Sequence, residues 1–472
     1  MDVAFLILYF AGMLGIGWYY SSKQTTVKEF VTAGQGLGYW VASFSARTTG
    51  ESAWLLLGLT GMGYLQGVGA FWVVIGEVLG VAVSWFLIVP RFKSEVTTYN
   101  SLTMLDYFED KLQDHRHHLR YIFTVVLLVM VTLYIAAQLT ATGKAFNNFY
   151  GMDIVLAQVI GLAVILIYVI LGGFRAVAIS DFVQGILMLL GLLIVPIYAF
   201  INAGGFGVVW DHVATHNPEL LTFWPTADNR WLLLMTVLGF LGTGLGFLGS
   251  PQVYQRIIAL KPGSNLRRAS WVAVLYTVLT DTGAVLCGIA GRYYFSSMGD
   301  PDTVFPDMVT HLFPPLLVGF FVAIILSAIM STADSLLILA GTTLIRDCYQ
   351  KIFRPDLSEK KAVLLLRAST VVLGLIALAV SVTDIRGIYW FALFGWAGIA
   401  SAFCPPLIIT LFWRGTTRQG AATGALVGFG TALIWKWYGI WSLYEMVPAF
   451  VISFIATVAV SLYTRKGTTK GD

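Results

Sequence analysis

The sequence predicts an all-α polytopic membrane protein, and three observations support that prediction. First, 57% of the 472 residues are hydrophobic and only 11% are charged, whereas about 25% of the residues in a typical globular chain are charged. Second, the apolar residues stand in blocks of roughly 20, the length that spans a bilayer as a helix. Third, glycine and polar residues interrupt some of these blocks. The composition excludes a soluble enzyme, a nucleic-acid-binding protein and a secreted disulfide-stabilised domain.

Thirteen apolar segments have the length expected of a membrane-spanning helix. The first lies at the N-terminus, and because no signal-peptide cleavage pattern follows it, we expect it to remain as a helix. The fifth and sixth are divided only by Gly172-Gly173-Phe174, and the tenth and eleventh only at Thr383-Asp384. The predicted spans are 3–21, 37–65, 70–90, 118–146, 153–172, 175–202, 230–259, 267–295, 314–345, 360–382, 386–411, 418–438 and 446–464.

The Lys and Arg residues predict the orientation of the chain, because they concentrate in cytoplasmic connections. With an external N-terminus, most of the 29 Lys and Arg residues, including Arg120 and Arg256, fall in cytoplasmic loops. A missed span would exchange the sides of all later loops and remove this asymmetry. We therefore expect a multi-pass protein of the plasma membrane (the inner membrane of a bacterium), with its N-terminus outside and its C-terminus in the cytoplasm.

Polar or glycine-rich residues interrupt two of the predicted spans at their centres. The second span contains the octet Ser45–Ser52, and the seventh contains Gly242–Pro251. Proline removes a helical hydrogen bond, and open backbone at membrane depth is tolerated only where it is buried or lines a site. Interrupted helices at corresponding positions in two halves of a chain indicate the binding site of a transporter.

Each interrupted span opens a run of five spans, and two successive five-helix units have opposite topology because five is odd. The pattern therefore predicts two inverted repeats around a central site. The predicted organisation is an extra N-terminal helix with the first cytoplasmic loop (1–36), the first repeat (37–202), an external loop (203–229), the second repeat (230–411), and two C-terminal helices with a short tail (412–472).

Ionisable side chains inside a membrane span are costly and indicate function. Arg47 and Glu51 are four residues apart, so they share a helix face and can form a charge pair. Asp181 and Asp334 are the other candidate partners of the buried arginine, whereas Glu77 and Asp281 are interpreted as packing carboxyls with local hydrogen bonds. The complete set is Arg47, Glu51, Glu77, Asp181, Asp281 and Asp334.

Oxygen-bearing residues follow one face of the ninth predicted span. Ala328, Ser331, Thr332 and Ser335 stand at positions i, i+3, i+4 and i+7, which lie on one side of a helix. Such hydroxyls can bond to carbonyls of their own helix, but together with Asp334 and a broken helix elsewhere they favour a site for a hard cation such as sodium.

Several short stretches match the motifs of one transporter family. They are Ser45-Ala46 followed by Trp54–Leu59, Thr103–Phe108, Gly172-Gly173 through Asp181 to Gln184, Ala328–Thr332, Gly246–Pro251 and Trp396–Gly398. On these residues the chain resembles the sodium/solute symporter family, and most of all its sodium/proline symporter branch, over roughly residues 5–440. The resemblance implies the LeuT-type fold with thirteen helices, and sodium as the coupling ion with no other cofactor or metal.

The resemblance also implies site residues at matching positions. The sodium site would use main-chain oxygens of Thr48, Glu51 and Ala328 with side-chain oxygens of Ser331 and Thr332. A second ion arrangement would use Asp181, Asp334 and Ser335 together with Ser331. The substrate would contact Gly50, Ser52, Tyr134, Gln138, Thr243 and Phe247.

One departure from the family pattern bears on the substrate. In the proline transporters that this chain resembles, an aspartate stands at the position of Gly50. That aspartate is absent here, and Arg47 and Glu51 stand nearby. Three interpretations stay open: a structural ion pair, an arginine that meets a substrate carboxylate, and proton coupling through Glu51.

The predicted function is sodium-coupled symport of a small, amino-acid-like solute into the cell, with proline as one candidate. Alternatives are a proton-coupled symporter that uses Glu51, Asp181 or Asp334, and a transporter-like membrane sensor, which the short tail disfavours. No nucleophile or metalloprotease motif supports an intramembrane enzyme. The expected partners are the solute, sodium and the lipid bilayer, with no nucleic acid and no obligate protein partner.

Overall fold

A computed structural model describes residues 2–225, 228–383, 388–440 and 443–468. Within these ranges the backbone is helical almost throughout and contains no extended sheet; a single parallel bridge joins Leu37 to Leu260. The predicted division at Thr383-Asp384 and the end of the C-terminal tail, 469–472, lie partly or wholly outside the described residues.

The first half of the chain forms ten α-helices in the described ranges, several of them joined end to end by tighter or wider turns. They are α1 (Asp2–Ser21), α2 (Val27–Thr32), α3 (Tyr39–Ala53), α4 (Thr60–Gln66), α5 (Phe71–Val83), α6 (Val89–Thr98), α7 (Met104–Leu112), α8 (His118–Tyr150), α9 (Ile154–Asn202) and α10 (Phe206–His216).

The second half continues with nine described α-helices. They are α11 (Arg230–Gly242), α12 (Pro251–Ala259), α13 (Leu266–Tyr294), α14 (Val304–Leu312), α15 (Pro315–Thr342), α16 (Glu359–Ser381), α17 (Ile388–Phe412), α18 (Arg418–Tyr438) and α19 (Met446–Thr468).

Ten helical segments of the described chain are long and apolar enough to cross a membrane, which confirms a multi-pass, all-helical protein. Two of them, Tyr39–Thr98 and Ile154–Asn202, contain 60 and 49 residues, and at about 1.5 Å per residue each exceeds twice the thickness of a bilayer core. Each is interrupted by a glycine in the left-handed region, Gly67 and Gly173, both with a φ of 55°. Gly173 lies at the predicted division of the fifth and sixth spans; the count of thirteen spans stays a prediction.

Both predicted interruptions are present in the helices. In α3, Ser52 has a φ of 57° and a ψ of −170°, a strained conformation for a residue other than glycine, and a π-helical turn follows at Trp54–Leu59. In the second half, α11 ends at Gly242, a 3₁₀ turn covers Thr243–Leu248, and α12 begins with a proline at its first position, where the missing N–H is harmless.

Helix α15 lies at the centre of the molecule. All its residues from Phe321 to Thr342 are buried, and it packs against α3, α8, α9 and α1. Helix α3 packs in turn against α9, α12, α13 and α15. The broken helix therefore runs beside the hydroxyl stripe of α15, while large apolar side chains such as Trp18 and Tyr463 remain exposed on the outside, as expected of a lipid-facing surface.

Candidate ion and substrate site

The hydroxyl stripe of α15 faces the carbonyl groups just before the break in α3. The Oγ of Ser331 lies 3.4 Å from the carbonyl oxygen of Thr48 and 3.2 Å from that of Ala328. The Oγ1 of Thr332 lies 3.2 Å from the carbonyl oxygen of Thr49 and 3.5 Å from that of Ala328. All are fully or almost fully buried. The structure thus gathers uncharged oxygens, the ligands that hard cations take, at one point.

Four of the five residues predicted to form the sodium site meet here, and the fifth is only partly placed. The side chain of Glu51 forms an ion pair with Arg47. Its carbonyl group lies directly before Ser52, where the helical conformation stops, so its role as a ligand stays a prediction. The carbonyl of Thr49, which the sequence did not suggest, contacts Thr332 instead.

The residues predicted for a second ion site lie together, but an arginine side chain contacts the oxygens of two of them, Asp181 and Ser335. The Nη2 of Arg256 lies 2.8 Å from Asp181 Oδ2 and also contacts the hydroxyl of Ser335. Its Nε donates to the Oγ of Ser45 at 2.9 Å. Asp334 adjoins this group through Ser335, whose hydroxyl lies 3.1 Å from Asp334 Oδ1. The positively charged guanidinium of Arg256 therefore lies where a bound sodium ion was expected.

The placement of Arg256 and Arg120 in cytoplasmic loops was wrong. Arg256 lies in α12, the buried second half of a broken helix, and Arg120 lies in the first turn of α8; both are about 1% exposed. A count of basic residues between apolar blocks does not distinguish an Arg or Lys in a loop from one that lies in the terminal turn of a helix and is buried. The signal that could have placed Arg256 is the buried Asp181, which needs a cationic partner.

The predicted charge pair of Arg47 and Glu51 is present and has further partners. The Nη2 of Arg47 also lies 3.7 Å from Glu77 Oε2, and its guanidinium stacks over the ring of Phe247 at 4.1 Å from the centroid. Asp181, one of the other predicted partners of Arg47, pairs with a different arginine. Asp334, the remaining candidate, accepts from Tyr168 at 2.5 Å.

The interpretation of Glu77 and Asp281 as separate packing carboxyls was incomplete. Thr280 does donate to Asp281 Oδ1 at 3.0 Å, as expected of a local hydroxyl. However, carboxylate oxygens of Glu51, Glu77 and Asp281 lie within 4.8 Å of one another. The three residues come from α3, α5 and α13, so their meeting depends on tertiary packing that no local pattern reveals.

The predicted substrate residues line the two breaks in separate small groups. The ring of Phe247 lies directly against Gly50, where a Cβ atom would collide with it. The hydroxyl of Tyr134 lies close to the side chain of Ser52. The Oε1 of Gln138 accepts from the backbone N–H of Ala53 at 3.3 Å. These contacts tie α8 to the first break.

The second break joins the same region through an aromatic contact. Trp396 donates from Nε1 to the carbonyl of Thr243 at 3.4 Å, and its ring lies 5.0 Å from that of Phe247. The neighbouring Gly395 packs against the side chain of Tyr134. The six predicted substrate residues are therefore linked through Ala53, Trp396 and Gly395, and all six are buried.

Two cavities lead to these breaks. One of about 560 Å³ is lined by Ala53 and Trp54, directly after Ser52, and by charged groups such as Lys144 and Asp302. A second of about 450 Å³ reaches Thr243. Burial and the neighbouring Asp300 raise the pKa of Asp302 to about 6, against the opposing effect of Lys144. Both cavities are large enough for a small organic solute to approach the broken helices.

The sequence profile described as "Sodium:solute symporter family" matches residues 30–428. Among known proteins, the chain is 32% identical over 467 residues to the osmoregulated proline transporter OpuE of Bacillus subtilis, with 97% of this chain and 94% of the relative covered. It is 32% identical over 459 residues to the high-affinity proline transporter PutP of the same organism, with 96% of each covered. It is 30% identical over 479 residues to a sodium/proline symporter of Staphylococcus aureus, covering 98% and 92%.

Solved structures share the fold. A Na⁺-coupled sialic acid symporter in a substrate-bound, outward-open state matches with a TM-score of 0.81 at 18% identity, over 98% of both chains. A nucleobase-cation-symport-1 family transporter in a closed conformation matches with a TM-score of 0.61 at 11% identity, over 95% of both chains. These likenesses confirm the LeuT-type architecture. The chain belongs to the sodium:solute symporter family, and it is a sodium-coupled symporter of a small solute in the plasma membrane rather than an enzyme.

Proposed function

We propose that this protein imports a small amino acid, with proline as the first candidate, together with sodium. The observation that carries the proposal is the meeting of the Ser331 and Thr332 hydroxyls with the carbonyls of Thr48 and Thr49, directly before the break at Ser52. A cation bound between these oxygens connects α3 with α15. Binding of the ion thereby fixes the broken helix that also carries the substrate residues.

The proposed substrate position is the region between Gly50, Ser52, Tyr134, Gln138 and the Thr243–Leu248 turn. The rings of Phe247 and Trp396 offer an apolar wall suited to a small saturated ring. Proline is the named substrate of the three relatives described above. The guanidinium of Arg47 is engaged by Glu51, which favours the structural ion pair over a contact with the substrate carboxylate.

Two residues of the second ion arrangement, Asp181 and Ser335, are held by Arg256, so we propose that one sodium ion binds, at Ser331 and Thr332. An ion at Asp181, Asp334 and Ser335 would require Arg256 to withdraw first. The two breaks at corresponding positions of 37–202 and 230–411 support an inverted-repeat arrangement with alternating access, an external 203–229 loop and N- and C-terminal extensions (1–36 and 412–472). We also propose the external N-terminus and cytoplasmic C-terminus that the basic residues predict.

The test is uptake of labelled L-proline into proteoliposomes at fixed pH, with sodium outside or with choline in its place. We expect uptake only with sodium. Ser331→Ala and Thr332→Ala should each raise the sodium concentration for half-maximal uptake roughly tenfold, because about 1.4 kcal/mol of lost binding free energy is a factor of ten. Ser327→Ala is the matched control, since this hydroxyl of the same helix donates to the carbonyl of Ala323.

Equal uptake in choline would overturn sodium coupling, and unchanged sodium dependence in both site variants would overturn the proposed ion site. If L-proline is not taken up, a thermal-unfolding screen with other amino acids, betaines, carboxylates and sugars, with and without sodium, identifies the solute. A ligand at 100 times its dissociation constant stabilises the native state by about 2.7 kcal/mol.

A further inference from the structure

A cluster of four buried ionisable groups lies beside the proposed substrate position. Arg47 and Glu51 come from α3, Glu77 from α5 and Asp281 from α13, and none of the four is more than 4% exposed. Oxygens of the three carboxyl groups lie within 4.8 Å of one another. One guanidinium thus faces three acids, and the cluster would carry an excess of two negative charges if all three were ionised.

Such an excess cannot remain uncompensated. A buried carboxylate without a partner costs several kcal/mol, and two carboxylates that share a site repel each other until one takes a proton. Arg47 pairs with Glu51 and approaches Glu77. Asp281 makes no direct ion pair in the described part of the chain.

Two carboxyl oxygens of the cluster lack a hydrogen-bond donor within the described ranges. Oδ1 of Asp281 accepts from Thr280, but Oδ2 of Asp281 and Oε2 of Glu77 are buried without a hydrogen-bond donor among the described residues. An ionised carboxylate can only accept hydrogen bonds, whereas a protonated one also donates. A single proton on the pair supplies the donor that both orphaned oxygens lack.

The other ionisable groups on the packed helices are engaged elsewhere. The Tyr276 hydroxyl of α13 donates to the carbonyl of Gly185 at 3.2 Å. Asp181 of α9 pairs with Arg256, and the Tyr64 ring of α4 stacks with Arg292. The turn Thr243–Leu248 brings Phe247 over the face of Arg47 and packs Gly244 against the backbone of Gly76 and Glu77, so it adds no ionisable group to the cluster.

A proton suits this place better than a larger cation. Neither of the two cavities described above is lined by a member of the cluster, and the guanidinium of Arg47 already fills the space beside Glu51. A metal ion needs room for several ligands around it, whereas a shared proton needs no volume.

We propose that Glu77 and Asp281 share one proton, and that this proton site binds and releases the proton as the two broken helices rearrange. Arg47 precedes the break at Ser52, and Phe247 belongs to the second break. Any rearrangement of the breaks therefore changes the distance from the guanidinium to Glu77 and Asp281, and with it their proton affinity. The release step rests on the proposed function, but the bound proton does not.

Infrared difference spectra between the full-length wild type and each variant, recorded at neutral pH, test for the bound proton without a transport assay. We expect a band of a protonated carboxyl group that is lost in Glu77→Gln and in Asp281→Asn. It should persist in Glu95→Gln, whose carboxylate pairs with Lys111 at 3.0 Å and is partly exposed. Should one of the variants fail to fold, the other decides. A band that survives in every folded variant of the pair overturns the proposal.

Two further measurements separate the alternatives. If added Mg²⁺ or Mn²⁺ binds to the wild type and removes the band, the cluster is a metal site and the proton assignment is overturned. At saturating sodium, L-proline uptake should depend on pH in the wild type and lose that dependence in Glu77→Gln and Asp281→Asn. A band with pH-independent uptake in the wild type overturns the release step. Absence of L-proline uptake overturns the proposed substrate, while the infrared band still decides whether the proton is bound.

Discussion

Two arginines of this protein are buried to the same extent, and each faces three acids, yet the two surroundings differ. Arg120, at the start of α8, donates from Nε to Glu109 at 2.5 Å, from Nη1 to Asp347 at 3.0 Å and from Nη2 to Asp106 at 3.0 Å. Every side of its guanidinium is used. Around Arg47, by contrast, Nε and Nη1 have no hydrogen-bond partner among the described residues.

Additional cations complete the contrast. Arg346 and Lys351 lie 3.6 Å and 3.9 Å from Asp106, so positive and negative groups around Arg120 are matched. No second cation pairs with the acids around Arg47 in the described chain. The saturated network of Arg120 holds together α7, α8 and the π-helical turn Thr343–Phe353 that follows α15 and carries Asp347. The network of Arg47 has the same residue types but is unsaturated, which is consistent with the proposed exchangeable proton.

The largest expected effect comes from removing the saturated arginine. Arg120→Gln leaves three buried acids without their cation, and breaking a buried ion pair from one side typically costs about 3–5 kcal/mol. We expect a corresponding loss of folding free energy in denaturant unfolding of the purified protein. Arg91→Gln is the control, because its pair with Glu95 at 3.8 Å is half exposed and such pairs contribute about 0–1 kcal/mol. Equal effects of both variants would refute the structural role of Arg120.

A smaller effect is expected at Arg47, because its acids can take up protons when the guanidinium is gone. Arg47→Gln and Glu51→Gln should each cost less than the loss of Arg120, about 1–3 kcal/mol, which is the cost of a buried polar group left without its partner once the remaining charge is neutralised. The double variant should recover much of this loss, since the two residues form one pair. A well-folded Arg47→Gln with wild-type stability and ligand affinity would exclude both a structural and a substrate-binding role.

The smallest effect is expected from pH at the Arg120 network. Burial raises the pKa of Asp106, but Arg346, Arg120 and Lys351 outweigh it and hold that pKa below its ordinary value. The stabilisation by Asp106 is therefore fully present above the unfolded pKa of about 4 and is lost as the pH falls through the lower folded pKa. Thermal unfolding should show this loss of stability at acid pH in the wild type and not in Asp106→Asn. If the stability were already lost between neutral pH and pH 6, the prediction would be contradicted.

The parts that the sequence predicts well are local. The stripe of Ala328, Ser331 and Thr332 follows from helical spacing, and the break at Ser52 follows from eight consecutive small or polar residues inside an apolar span. Both depend on neighbours along the chain. The sequence also predicts the pair of Arg47 and its i+4 partner, for the same reason.

The parts that the sequence misses depend on contacts between distant segments. Arg256 reaches Asp181 only because α12 is buried against α3 and α15, and Glu77 meets Asp281 only because α5 packs on α13. Hydropathy and spacing contain no information on which helix faces which.

The spacing of Arg47 and Glu51 has a consequence for biosynthesis. While the ribosome is still translating the first half of the chain, α3 must enter the bilayer before α5 and α13 have emerged. A lone arginine at mid-membrane costs about 2.5–3.5 kcal/mol on insertion scales, and its later neighbours Glu77 and Asp281 cannot yet lower that cost. Glu51 is the one acid of the cluster that arrives within the same helix, one turn away. The translocon therefore receives a segment that already carries its own counterion, and the remaining acids join the arginine only when the later helices assemble.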